Sequence, residues 1–186
     1  MGASGEDDWA EVWDARTAAL ERVLGSSRDQ VLHAPVPFAL GGHADIVVFP
    51  MQPLGVAYVT AELSGKPDAS YADYELMICH RKDDSWGPNV ISRLASYTQE
   101  AYIHVGDSMD IGSATPAGST IEAFLFDNYG SFELFGETFQ LRLCLGITKD
   151  ELEFKLNAGA ERLLTALKAS GVYPFTDLQR SSVLTQ

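Results

Sequence analysis

The run TFQLRLCLGI, residues 138–147, places Phe139, Leu141, Leu143, Leu145 and Ile147 at alternate positions, with Gln140, Arg142 and Cys144 between them. Side chains alternate across an extended backbone, so this period of two predicts a strand with one apolar face that another layer must cover. Helices are the available covers. Trp9, Val12, Trp13, Arg16, Leu20, Val23 and Leu24 recur at helical spacing, with Asp7 or Asp8 as the expected cap and Gly25 as the stop. A second helix is expected from Pro88 to about Ala101. A third segment opens at Thr148, where Thr148 and Glu151 have capping-box spacing. Its apolar stripe is Leu152, Leu156, Leu163, Leu164 and Leu167, broken at Asn157-Ala158-Gly159.

Other strands are expected at HADIVVF (43–49), GVAYVTAEL (55–63), YELMICH (74–80), IEAFLFD (121–127) and SFELF (131–135), from their β-branched and aromatic content. Asn128-Tyr129-Gly130 and Gly136-Glu137 are short enough to be hairpin loops, which make antiparallel neighbours. The fold class is therefore α+β: a mostly antiparallel or mixed sheet covered by helices. With 186 residues the chain fits one domain, burying about 70% of the surface of its unfolded form. Residues 1–6 and 183–186 are expected to be loose ends.

Charge narrows the partners. Twenty-six acidic against 13 basic residues give a net charge of -13, which repels phosphate backbones and anionic lipid. Neither a nucleic acid nor a membrane is an expected partner. The sequence shows neither an apolar run of about 18 residues nor a charged-then-apolar leader, so a cytoplasmic location is expected. Cys79 and Cys144 have no metal-ligand spacing, and no cofactor motif is present.

Three groups invite a catalytic reading. Cys79-His80 resembles a nucleophile and its base, but neighbours on a strand point to opposite faces, so the two cannot hydrogen-bond. His80 should share a face with Tyr74, Leu76 and Ile78, and Cys79 with Glu75 and Met77. His104, Asp107 and Asp110 repeat at intervals of three and would suit a divalent metal or acid-base hydrolysis, although such aspartates more often bond their own backbone. Asp83-Asp84-Ser85 reads as a solvated turn, and His33 and His43 stand alone. No catalytic residue is assigned, and a protein without enzymatic activity is expected.

The order of motifs is more specific than any of them singly. A strand of Glu-Leu type, a charged loop, and Trp86-Gly87-Pro88 leading into a helix that ends Leu-Ala-Ser-Tyr resemble the Suppressor of fused domain. YVTAELS (58–64), HVGDSM (104–109) and the closing segment 146–184 with its Thr-Asp-x-x-Arg resemble the same family in the same order. The matching residues are Trp86, Pro88, Leu94, Tyr97, Gly106, Asp107, Thr176, Asp177 and Arg180. Gly87 reads as a permissive N-cap and Pro88 as the first helical residue, with Trp86 plugging the junction.

The resemblance implies a non-enzymatic α+β sandwich that binds protein. Animal members hold a transcription-factor peptide between two domains, of which this chain matches the first. Single-domain bacterial members look like immunity proteins, which neutralise toxins by binding them. A basic toxin face would suit the acids Glu6, Asp7, Asp8, Glu11 and Asp14 on the first helix and Asp83 and Asp84 in the loop. The alternative partner is a peptide added as a strand to the sheet edge, expected at residues 43–49.

Overall fold

The computed structural model describes residues 4–66 and 70–184, and side chains from Asp8 onward. Helix α1 spans Ser4–Leu24 and ends at Gly25, whose φ of +87° suits a residue without a Cβ. It begins upstream of Asp7 and Asp8, so neither is its cap. There follow β1 (Val31–Leu32), β2 (Ile46–Pro50), β3 (Val56–Thr60), β4 (Tyr74–His80), α2 (Trp86–Tyr97) and β5 (Ser108–Asp110). The chain then closes with β6 (Ile121–Leu134), β7 (Glu137–Thr148), α3 (Lys149–Ala158) and α4 (Ala160–Ala169). The seven strands form one mixed sheet in the order β1-β2-β3-β4-β7-β6-β5. All neighbours are antiparallel except β4 and β7, which run parallel from Tyr74 opposite Gln140 to Met77 opposite Leu143.

The two strands expected at 121–127 and 131–135 are one. Between Asn128 and Gly130 the pairing with β7 slips by a residue, leaving Tyr129 as a bulge. A bulge uses the same Asn and Gly residues as a turn, but pairing resumes beyond it and the strand continues. The true hairpin turn is Phe135-Gly136, both at positive φ (52° and 82°), between paired Leu134 and Glu137. Two left-handed residues match the strand twist.

The expected apolar face of β7 exists. Phe139, Leu141, Leu143, Leu145 and Ile147 are buried with Met77, Cys79 and Leu125 beneath Ala19 and Leu20 of α1 and Leu163, Leu164 and Leu167 of α4. Each fully buried leucine contributes about 1.5–3 kcal/mol. The opposite face is equally dry, a departure from the one-sided reading. There Tyr74, Leu76, Ile78, Phe124, Phe126 and Cys144 lie under Ile91 and Ala95 of α2. Arg142, read as belonging to a polar face, is only 1% exposed and stacks its guanidinium on the Tyr74 ring at 5.0 Å.

Helix patterning needs two corrections. Trp9 and Val23, at the ends of the α1 stripe, are 54% and 42% exposed, because the sheet underlies only the middle of the helix. In α3 the buried residue is Glu151, while Leu156 faces solvent. The capping box and the break at Gly159 are as expected. Strand β2 is not an edge: β1 pairs with Ile46 and Val47, and the Arg28 N–H donates to the Val48 carbonyl at 2.8 Å. The edges of the sheet are β1 and β5. At the C-terminal end, expected to be loose, Val183 donates its N–H to Glu151 at 2.9 Å; residues 185–186 lie outside the described residues.

Candidate partner-binding surface

Strand geometry separates Cys79 from His80 as anticipated. Cys79 is fully buried beside Met77, and burial pushes its thiol pKa far above the ordinary value. A thiol so placed is no nucleophile. His80 faces α2, with its ring 6.2 Å from Trp86 and 6.1 Å from Tyr58. Its Nδ1 donates to the Thr176 carbonyl at 2.8 Å, and Nε2 is buried without a partner among the described residues.

Burial lowers the His80 pKa, outweighing the upward pull of Asp84, the Thr176 carbonyl and Asp177. The unfolded chain, with an ordinary value of 6.5, therefore binds a proton more readily than the native state. Stability should be complete above that value and fall as pH drops below it, by at most about 1.4 kcal/mol per pH unit. Urea midpoints measured from pH 7.5 to about 5.5 should decline. In His80→Asn, which still donates to Thr176, the decline should flatten.

Entry into α2 differs in detail from expectation. Ser85 occupies the N-cap position without a side-chain bond, and Asp84 Oδ1 instead accepts the Trp86 N–H at 2.6 Å. Gly87 and Pro88 are thus the second and third helical residues. Proline is tolerated there because the first-turn N–H groups lack intrahelical partners anyway. Gly87 is required for another reason: a Cβ would lie 2.1 Å from His80 Nε2. Trp86 is half-buried over this junction, packed on His80 and Phe124, and donates its Nε1–H to the Ala114 carbonyl at 2.7 Å.

His104, Asp107 and Asp110 follow the bland course. Asp107 accepts the His104 N–H at 2.9 Å and Asp110 accepts the Gly112 N–H at 2.8 Å. Among the described residues no group of three His, Cys, Asp or Glu is arranged to hold a metal ion. Gly106, at φ +85°, sends its N–H to the Phe126 carbonyl at 2.7 Å, pinning the segment that leads into β5.

The closing segment is a clasp. Thr176 sends its N–H to the Cys79 carbonyl and accepts the Gly146 N–H on its hydroxyl, both at 2.8 Å. Arg180 bonds both oxygens of Glu151 (2.6 and 2.5 Å) and the Gly146 carbonyl (2.9 Å). Asp177, exposed, accepts the Gln179 N–H. Sequence reading assigned Glu151 only to the capping box. Its second role, as the anchor for Arg180, had no local signal across 29 residues.

Of the family-motif residues, then, Trp86, Pro88, Gly106, Thr176 and Arg180 hold the fold. Leu94 is half-buried on α2, whereas Tyr97 and Asp107 are exposed. Near them stand exposed Tyr102 (45%) and Val105 (49%), just before the edge strand β5.

The acids expected to meet a partner fall into two groups. On α1, Asp8 and Glu11 share Lys66, at 2.5 and 3.5 Å, and Asp14 is exposed without an ion pair among the described residues. The side chains of Glu6 and Asp7 lie outside the described residues. Asp83 is held by Arg28 at 2.6 Å, and Asp84 is occupied at the α2 entry. The structure does not bring these groups together: α1 covers one face of the sheet, and the turn with Asp83 and Asp84 leads into the helix on the other. Beside that turn a groove of about 910 Å³ opens between β1 and α2, floored by Ile46, Val48 and Tyr58. Sequence reading had no means of finding it.

A mixed sheet dried on both faces by helices, with most of the buried motif residues holding elements together, defines an α+β fold. Residues 42–181 match the model of the Suppressor of fused protein (SUFU) family, and the chain belongs to that family. Among solved structures it is similar to a chain of the Sufu-Fu complex, at 15% identity and TM-score 0.76, with 92% of each chain covered. A protein described as a SUFU homolog from Neisseria gonorrhoeae matches at 17% identity and TM-score 0.71, covering 95% of this chain and 99% of that one. Drosophila Suppressor of Fused matches at 13% identity and TM-score 0.70, with 95% of this chain on 51% of that one. No curated protein matches. Among the described residues no helix is long and apolar enough to cross a membrane.

Proposed function

We propose that this chain is a non-enzymatic protein-binding module that acts as an immunity protein, neutralising a toxin by occupying a basic face of it. The carrying observation is electrostatic. The net charge is -13, and on α1 Asp8, Glu11 and Asp14 are exposed with one lysine among three carboxylates. Such a surface accelerates encounter with a cationic partner in a salt-dependent way. The test is to purify the protein with the toxin candidate encoded beside it. A complex should form and inhibit the toxin, and Glu11→Lys with Asp14→Lys should slow association roughly tenfold at low salt. Absence of binding to any neighbouring candidate would end the immunity reading.

A second reading is favoured by β5. Among the described residues this three-residue edge pairs only with β6 and follows exposed Tyr97, Tyr102 and Val105 in the chain, so an extended peptide would have a free strand edge and apolar side chains to meet. Strand addition would slow amide exchange at Ser108–Asp110 when the partner is added. Unchanged exchange there would dismiss it.

A further inference from the structure

Between α1 and the turn Phe38–Leu40 lies a cleft of about 230 Å³ whose lining includes Trp9, Phe38 and Tyr71, with Asp8 and Glu62. Its walls are aromatic. The Phe38 and Tyr71 rings meet edge to face at 5.0 Å, and Trp9 stacks on Trp13 at 5.5 Å. Trp9 is 54% and Tyr71 43% exposed, which is unusual for side chains with so much apolar area.

The charges in and around the cleft do not cancel. Arg16 reaches it, but its guanidinium is already consumed: it donates to the Ala61 and Ser64 carbonyls and to Ser64 Oγ, and pairs with buried Glu75 at 3.3 Å. Lys66 is taken by Asp8 and Glu11. Glu62 is left. One of its oxygens accepts the Asp45 N–H at 2.8 Å, and no cation among the described residues lies within salt-bridge distance of either oxygen. Burial raises the Glu62 pKa; the hydrogen bond from the Asp45 N–H and the charge of Arg16 pull it down, the charges of Asp45 and Glu75 push it up, and the net shift is upward. The carboxylate sits where its negative charge is under-compensated.

We propose that this cleft receives the cationic side chain, lysine ammonium or arginine guanidinium, of a basic protein partner, seated against the aromatic walls and paired with Glu62. Aromatic faces attract a cation through their quadrupole, and a half-buried carboxylate supplies a charge-assisted bond. The proposal rests on the reading of the chain as a binder of a basic protein and names the side chain that partner would insert.

The test needs no toxin. N-acetyl-arginine amide and N-acetyl-lysine amide are titrated into the intact protein, with tryptophan fluorescence and backbone amide shifts at Trp9, Glu62 and Tyr71 as readouts. Neutral N-acetyl-norleucine amide is the control. Saturable binding in the millimolar range is expected, with the neutral analogue roughly tenfold weaker. Glu62→Gln, which still accepts the Asp45 N–H, and Trp9→Ala on the helix surface should each weaken the cation roughly tenfold while melting like the parent. Equal binding of the neutral analogue, or no saturable response, would overturn the proposal. Either failure leaves the toxin-binding assay standing, and cation binding without any toxin complex would overturn the immunity reading alone.

Discussion

Glu151→Ala is expected to lower the unfolding free energy by about 3–5 kcal/mol, the cost of stranding a buried charge. Glu151 is fully buried, and besides Arg180 it accepts the N–H groups of Thr148 and Val183 at 2.9 Å each. Truncation would leave a nearly buried guanidinium without its counter-ion, holding only backbone carbonyls, and two N–H groups without their acceptor. Because the loss is of pairing, Glu151→Ala combined with Arg180→Met should cost clearly less than the sum of the single changes. Additive costs in urea titrations would show the clasp to be idle. Burial pushes the Glu151 pKa up, but the bonds from Arg180, Thr148 and Val183 more than reverse this, and the net shift is below the ordinary 4.5. Its contribution is therefore whole above that pH and drains away as pH falls through the lowered native value.

Gly87→Ala should cost about 3 kcal/mol, the upper end for forcing a methyl group into a packed core. The added Cβ would stand 2.1 Å from His80 Nε2, 2.7 Å from Cδ2 and 3.2 Å from Ile78 Cγ2. His80 has little freedom to retreat, being tied to Thr176 and flanked by Trp86 and Tyr58. Either α2 lifts from the sheet or the ring abandons Thr176. Adding His80→Ala should recover part of the loss by emptying the contested space. A neutral Gly87→Ala would contradict the packing of α2 on β4.

The fates of single residues show where sequence reading stopped. Cys79 and His80 were separable in advance because the period of a strand is a property of its backbone. Gly87 was noticed for a local reason, as a cap, when its true constraint is a ring on another element. Arg142 and Glu151 were read as polar and local, yet both are buried, Arg142 on Tyr74 and Glu151 against Arg180. Asn128-Tyr129-Gly130 looked like a turn because bulges and turns draw on the same residues. The pocket of Trp9, Phe38, Tyr71 and Glu62 joins segments that share no motif.

By itself the sequence determined the types of the longer elements, though not the short strands β1 and β5, together with the opposed faces of β4 and β7, the capping box of α3, the net charge, and the family resemblance. These depend on periodicity, local bonding and motif order, which lie along the chain. Tertiary structure alone decided which strand is an edge, that both faces of the sheet are buried, which carboxylates are paired, and where a cleft remains open. Those outcomes depend on which distant segments pack together, and the same residue types permit more than one such packing.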